Sequence, residues 1–387
     1  MVKKFFLGCT LLVFVAGFSF SQQQQTASRP WWYTLEEGKR LFSGGDYGDA
    51  LISFEDARRA RIAQFTRMKQ DIILLMSSPD VRRLEDSLYL IEQYIADHNE
   101  TAAAAALAEL YYYIPEKSLN GSAKQALEGF DHLKNYPDAE YWLGETYMAE
   151  GELSLALNQY ELALDNKDLL ETPGFDTEIL YRITEIHRIR REYQEMEKQA
   201  NEIIAGKDSS GVPRDTLWAR DSPGTRTSSN QIRAAMARVL ENEGIDHFLI
   251  LYRYNNPVTE RAHRLLGFFC YASNRYSLAA EHLTFAFLIQ NTVLIDEIIR
   301  HNYDYSFTTL EDLMTRVRSR PELTAYLDDT EYFRTAYYLA SALYAGGKTK
   351  PASQLWAFLA ASDNSGEWGS RARRYPSPFI DKAIEMP

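Results

Sequence analysis

A chain that repeats one spacing of small residues four times has little freedom in how it folds. Twelve residues separate Gly38 from Ala50, Gly144 from Ala156, Gly267 from Ala279 and Ala340 from Ala352. Seven more lead to Ala57, Ala163, Ala286 and Leu359. Such a frame marks paired helices that cannot bury their apolar faces alone and must stack on neighbours. Stacks of this kind offer extended surfaces to partners; catalytic chemistry needs a separate constellation of residues.

The stretch 141–163, YWLGETYMAEGELSLALNQYELA, shows how the frame works. Leu143, Gly144 and Tyr147 share one helical face. Gly151 falls where the chain must reverse, and it tolerates a positive φ. Leu153, Ala156, Leu157, Tyr160 and Ala163 form the stripe of a second helix. Gly144 and Ala156 are small where two backbones approach. A bulky side chain there overpacks the seam, at a cost of about 1–3 kcal/mol.

This pattern resembles the tetratricopeptide repeat. The first copy matches at Gly38, Gly45, Tyr47, Ala50, Phe54 and Ala57, and departs at Glu37, where the family prefers an apolar residue. The third has Leu266, Gly267, Tyr276, Ala279, Leu283 and Ala286, with Asn274 in place of the turn glycine. The last has Leu339, Ala340, Gly347, Ala352, Trp356 and Leu359. A degenerate copy over 178–204 keeps Ile183, Tyr193 and Ala200 but puts Thr184 and Met196 at the small positions. It starts 40 residues after its predecessor, with Thr172-Pro173-Gly174 among the extra residues.

The resemblance implies an all-α fold: a right-handed α-solenoid of antiparallel helix pairs, with irregular helices between repeats. It also implies that the first helix of each pair lines a concave groove. The faces of those helices turned away from the second helix carry Tyr141, Glu145, Tyr181, Glu185, Arg264, Phe268, Tyr271, Tyr337 and Tyr344. Aromatic side chains recur at binding hot spots, so these nine are the candidate partner-binding residues. A ring there either anchors a partner or packs between adjacent repeats. The lysine and asparagine set with which chaperone-binding members hold a terminal carboxylate is absent.

Residues 1–21 read as a secretory signal peptide. Lys3 and Lys4 precede the apolar run 5–18, which is short for a membrane span, and cleavage is expected after Ser21. An uncleaved membrane anchor is the alternative. Leu7-Gly8-Cys9 precedes most of the apolar run, which argues against lipidation there. The expected destination is the periplasm. Residues 22–30 form a polar spacer, 31–205 an N-terminal helical region, 206–230 a linker or long loop, and 231–387 a C-terminal helical region. The loop reading rests on two prolines, three glycines and no apolar period. Further helices are expected over 79–98, 100–113 and 122–135, and the helix opening near Asp49 is expected to be unusually long. Its Arg58, Arg59, Arg61, Arg67 and Lys69 form either a solvated face or an anionic docking patch.

The formal net charge of −12 argues against nucleic acid or an anionic membrane surface as the main ligand. Beyond the leader only Cys270 remains, so no internal disulfide forms; it reads as a small buried hydrophobe. The seven histidines are scattered, none in the i, i+4 pairing of a helical metal site. No Walker loop, GxGxxG or GxSxG occurs. The expectation is therefore no enzyme, no cofactor and no metal. The chain reads as an envelope scaffold for a protein partner, in an envelope or transport complex, near the membrane but with no mature transmembrane helix. The alternative is a small-molecule or glycan-binding accessory subunit of a transport or cell-wall system. Nothing in the residues specifies an oligomeric state.

Overall fold

The computed structural model describes residues 29–75, 84–97, 99, 101–103, 106–107, 129–207, 214, 229–374, 379–381 and 384. The signal segment, most of the spacer, most of the 206–230 stretch and much of the region between 76 and 128 lie outside them. Every regular element among the described residues is helical. Packing divides the chain into two units, 1–150 and 151–387.

The first unit contains α1 (Trp31–Ser43), α2 (Tyr47–Leu75), α3 (Leu84–Ala96) and α4 (Pro137–Ala149). The expected long helix is α2, with 29 residues. Its only glycine, Gly48, lies in the first turn, so nothing inside it breaks the helix. Leu35, Ala50, Phe54, Ala57, Tyr136, Ala139 and Leu143 form the core between α1, α2 and α4. Part of the basic run of α2 is engaged inside this unit, while Arg59 and Arg67 stay exposed. Arg61 is buried, its guanidinium 4.7 Å from the Trp31 ring, 4.8 Å from Tyr136 and 5.3 Å from Phe65. Its Nε donates to the Leu133 carbonyl at 3.1 Å. Arg58 bonds Glu55, Arg59 lies near Glu55 and Asp56, and Lys69 pairs with Asp131.

The second unit contains α5 (Leu153–Asp165), α6 (Phe175–Ile189), α7 (Tyr193–Ala205), α8 (Ser229–Glu243), α9 (Ile245–Leu251), α10 (Pro257–Ala272), α11 (Tyr276–His301), α12 (Leu310–Val317), α13 (Pro321–Asp329), α14 (Tyr332–Ala345), α15 (Thr349–Ala361) and α16 (Gly366–Arg374). Proline at the first helical position opens α10 and α13, where its missing N–H costs nothing. Three hairpins, α6/α7, α10/α11 and α14/α15, pack in chain order, α7 on α10 and α11 on α14. The centre is α11, whose Leu283, Phe287, Leu288, Leu294 and Ile295 are fully buried. It is long and apolar enough to cross a membrane, yet 78% of its apolar window is buried within the protein. That burial makes it a core helix.

The frame has a physical meaning at each hairpin seam. A Cβ added to Gly38 would lie 2.5 Å from the Phe54 ring, and one added to Gly267 would lie 2.5 Å from Leu283. Each large residue comes sixteen positions after its glycine, as Trp356 does after Ala340. So the first helix supplies a hole and the second a knob. In α6/α7 the sizes are exchanged: Thr184 stands at the hole position and Ala200 at the knob position, both buried. Thr184 satisfies its hydroxyl by donating to the Leu180 carbonyl at 2.7 Å. The degenerate copy therefore keeps the seam with its volumes reversed.

The turns repeat as closely. Gly45, Gly151, Arg191, Asn274 and Gly347, each seven positions after the hole residue, all have φ between 59° and 84°. In four turns the next N–H closes a six-residue ring to a helix carbonyl: Asp46 to Leu41, Glu192 to His187, Arg275 to Cys270 and Lys348 to Leu343, at 2.7–3.0 Å. Arg191 and Asn274 adopt this backbone without glycine, at a cost of about 1–2 kcal/mol each.

The 206–230 stretch is not a packing boundary, because α7 before it packs on α10 after it. Arg214, within it, is anchored inside the second unit. Its guanidinium pairs with Asp176 and donates to Thr177 Oγ1 at 3.0 Å, while its carbonyl accepts from Asn256 Nδ2 at 2.7 Å. The side chains of Arg214 and Asp176 are only 4% and 3% exposed. Arg214 is thus pinned across the openings of α6 and α10.

Two outcomes test these packing arguments. Ala200→Leu should lower stability by about 1–3 kcal/mol through overpacking, and Thr184→Ala in the same chain should restore part of the loss. A double-mutant cycle read by urea denaturation measures that coupling, and strict additivity would refute the exchanged seam. Arg214→Met should cost about 3 kcal/mol or more, since it leaves the Asp176 carboxylate buried without its cation. Thermal unfolding checks this; a shift in Tm of under one degree would contradict the anchor.

Candidate functional site

The nine sequence-derived candidates divide sharply. Tyr141, Tyr181, Phe268, Tyr271 and Tyr337 are only 0–7% exposed, so as freestanding groove anchors they are corrected. The physical reason is that stacked hairpins cover the faces of their first helices. Tyr181 reaches α10: its hydroxyl donates to the Val258 carbonyl at 2.7 Å and accepts the Ala262 N–H at 3.1 Å. Tyr271 meets the rings of Tyr276 and Tyr338 at 5.2 and 5.0 Å. Tyr337 packs on Trp356 and Trp368, and its hydroxyl donates to Asp381 at 2.6 Å. Tyr141 lies in the first unit edge-on to Trp142, with half-buried Glu145 on the same helix. Tyr344 is 40% exposed and lines neither cleft described below.

Four candidates do converge. Tyr181, Glu185, Arg264 and Phe268 line a cleft of about 330 Å³ with Thr184, Arg188, Arg261, Leu265, Glu331 and Arg334. All of these stand on α6, α10 or α14, except Glu331, which caps the start of α14. The cleft therefore runs across the first helices of three successive hairpins. Its aromatic floor is covered by cations: the Arg261 guanidinium lies 4.2 Å from the Tyr181 ring centre, and that of Arg334 lies 4.3 Å from Phe268. Stacking of this kind suits arginine, whose flat guanidinium keeps its edge donors available. A second open cleft of about 550 Å³ shares Glu331 and Arg334 and adds Phe333, Tyr338, Trp368 and Arg371.

A buried polar chain supports the first cleft from below. Gln290 of α11 donates to Glu260 at 2.7 Å and to the Thr330 carbonyl at 2.9 Å. Arg264 Nε donates to the same Glu260 oxygen at 3.0 Å, and its Nη1 reaches Glu331. Arg334 donates to the other Glu331 oxygen at 2.6 Å. Burial pushes the Glu260 carboxyl above its ordinary range. At Glu331 the hydrogen bonds and charges of the two arginines outweigh burial, and its carboxyl is held below the usual value. Its backbone is left-handed, with φ at 48°, although it stands outside the repeating turn position. Strain of this kind gathers at sites whose surroundings over-determine the geometry.

Sequence reasoning missed Arg188, Arg261, Glu331 and Arg334. A signal existed for two of them: Arg261 and Arg334 both stand six positions before the small residue of their copies, Gly267 and Ala340. Glu331 left no trace, because its role depends on a left-handed cap. The buried thiol of Cys270 is pushed up to about 11 by burial, in keeping with a hydrophobe. Among the described residues no three His, Cys, Asp or Glu side chains cluster to hold a metal.

Two histidines meet nonetheless. His263 and His282 are buried with their Nδ1 atoms 3.1 Å apart across the α10/α11 seam. Burial first, then the charges of His263, Arg275 and Arg233, hold His282 well below its ordinary pKa. The folded protein thus refuses a proton that the unfolded chain accepts near pH 6.5. Stability from this group is complete above pH ~6.5 and falls as the pH drops below it, by about 1 kcal/mol between pH 6.5 and 5.5. His282→Gln should flatten that part of the urea-midpoint profile; an unchanged slope would show that other groups set it.

No protein-family model matches the chain. It is similar to an uncharacterized protein of Treponema pallidum (strain Nichols), 21% identical over 341 residues that cover 88% of each chain. The likeness therefore runs through both units.

Proposed function

We propose that this chain is an exported, non-catalytic scaffold of tetratricopeptide type, which binds a segment of a protein partner in the cleft across its first helices. The observation that carries this reading is the origin of the cleft lining. Three successive hairpins each contribute their first helix, and none contributes its second. A recessed surface built by repetition suits an extended or helical segment, which meets successive repeats along its length. The repeated seam and turn support the solenoid class. The apolar leader, 1–21, supports export to the periplasm. The acidic balance of the chain argues for a protein partner over nucleic acid.

The second cleft favours the alternative, a small-molecule or glycan-binding accessory subunit. Trp368, Tyr338 and Phe333 stand there beside Asp328, Glu367, Asn364 and Arg371, a mixture of rings and polar groups that also suits sugars. Site-specific photocrosslinking separates the two readings. A photoreactive residue at Leu265 in the first cleft should give a discrete protein adduct in the cell envelope, and one at Leu162 on the outer face of α5 should not. Failure at Leu265, together with saturable binding of cell-wall glycan fragments lost on Trp368→Ala, would replace the scaffold reading with the alternative.

A further inference from the structure

The first cleft carries four arginines, Arg188, Arg261, Arg264 and Arg334. Four carboxylates balance them: Glu185 beside Arg188, Glu178 beside Arg261, buried Glu260 beside Arg264, and Glu331 between Arg264 and Arg334, so the geometry of the donors marks the site rather than net charge. These arginines are held in place from beneath. Arg264 is fixed by buried Glu260, itself held by Gln290 from the core helix. The Arg334 guanidinium lies over the Phe268 ring, 4.3 Å from its centre. Support of this depth makes a binding group precise.

One carboxylate serves both inner arginines. Glu331 accepts from Arg264 through one oxygen and from Arg334 through the other. A guanidinium has five donors in a planar fork. For Arg334, Glu331 is the acceptor of Nη1; Nε and Nη2 have no acceptor among the described residues. Arg264 likewise uses Nε and Nη1 and leaves Nη2. The fork is therefore only partly filled, by an internal carboxylate carried on a left-handed backbone.

We propose that Arg264 and Arg334 form a receptor for the acidic side chains of a partner segment, and that Glu331 is its built-in competitor. This rests on the scaffold reading above and adds the partner's chemistry. An incoming aspartate or glutamate takes the place of the Glu331 carboxylate between the two guanidinium groups, in the bidentate geometry that arginine favours. Once displaced, Glu331 is free to leave its strained cap. Arg188 and Arg261 line the same cleft, each paired with a carboxylate of this chain, Glu185 and Glu178. The apolar contact comes from Leu265, which lines the cleft between the charges.

The test is a titration of the full chain, freed of its leader, with two fluorescein-labelled octapeptides. One alternates glutamate and leucine and the other alternates glutamine and leucine, both amidated at the C-terminus so that no terminal carboxylate is present. The glutamate peptide should bind at least tenfold more tightly than the glutamine peptide, and its affinity should fall steeply with salt. Arg334→Gln should remove most of that preference. Glu331→Gln should strengthen binding of the glutamate peptide by threefold or more, since the internal competitor loses its charge. Equal affinity for the two peptides overturns the proposal, as does weaker binding by Glu331→Gln in a variant with unchanged Tm. Arg334→Lys, which keeps the charge and loses the fork, guards against misfolding of the glutamine variant; it should bind between the two. If both peptides bind equally while Leu265 still crosslinks a protein, the scaffold reading survives and the acidic partner does not. If neither binds and Leu265 gives no adduct, both fall.

Discussion

The contact between a small residue on one helix and a large one sixteen positions later holds this architecture together. At Gly38 and Gly267 there is no room for even a methyl group, so the two backbones sit as close as side-chain volume allows. Everything downstream depends on that approach. It sets the relation of the helices in each hairpin, and it leaves the opposite face of the first helix for the next hairpin or for solvent. The left-handed residue in each turn fixes the chain reversal that makes the contact possible. The α6/α7 hairpin shows which quantity matters. Thr184 and Ala200 reverse the order of sizes at the seam and both stay buried, since interior packing responds to volume and shape before identity.

The same stacking determines what is left exposed. Rings on the first helices are drawn into the seams between hairpins, because burying a large aromatic surface is worth more than leaving it to solvent. What remains accessible above those rings is arginine. Its aliphatic stem and flat guanidinium can lie over an aromatic floor while the edge stays wet. Tyr181 and Phe268 thus contribute to the cleft as a base for Arg261 and Arg334, and this is a different role from that of a freestanding anchor. The strained cap at Glu331 and the buried chain through Glu260 and Gln290 then fix the positions of the inner pair. In energetic terms the cleft is a place where local rules are broken together: a left-handed glutamate, a buried carboxyl and several arginines in proximity. Such breaches of consistency concentrate at functional sites.

Much of the fold was legible in the residues. The helical class, the hairpin frame, the long α2 and the start of α10 all follow from local periodicity, turn chemistry and proline placement, which act within a few residues of one another. Cys270 read correctly as a buried hydrophobe for the same reason. The anchoring of Arg214 on Asp176 was not legible, because it joins positions 38 residues apart and no local pattern announces it. The site was half legible. Tyr181, Glu185, Arg264 and Phe268 line one cleft, Tyr181 and Phe268 as buried rings. Periodicity tells which face a residue occupies; it does not tell whether another hairpin covers that face.

By itself, then, the sequence determined the repeating hairpin, since small residues, knobs and turn positions recur at fixed distances and every one acts between adjacent helices. Tertiary structure alone decided which rings became seam and which cations became surface. It also decided the pairing of His263 with His282 and the sharing of Glu331 between Arg264 and Arg334. Those outcomes depend on what packed helices present to one another. The pairings cross 19 and 67 residues of chain, the first within the α10/α11 hairpin and the second between hairpins, and each is fixed by side chains that meet only once their helices have packed.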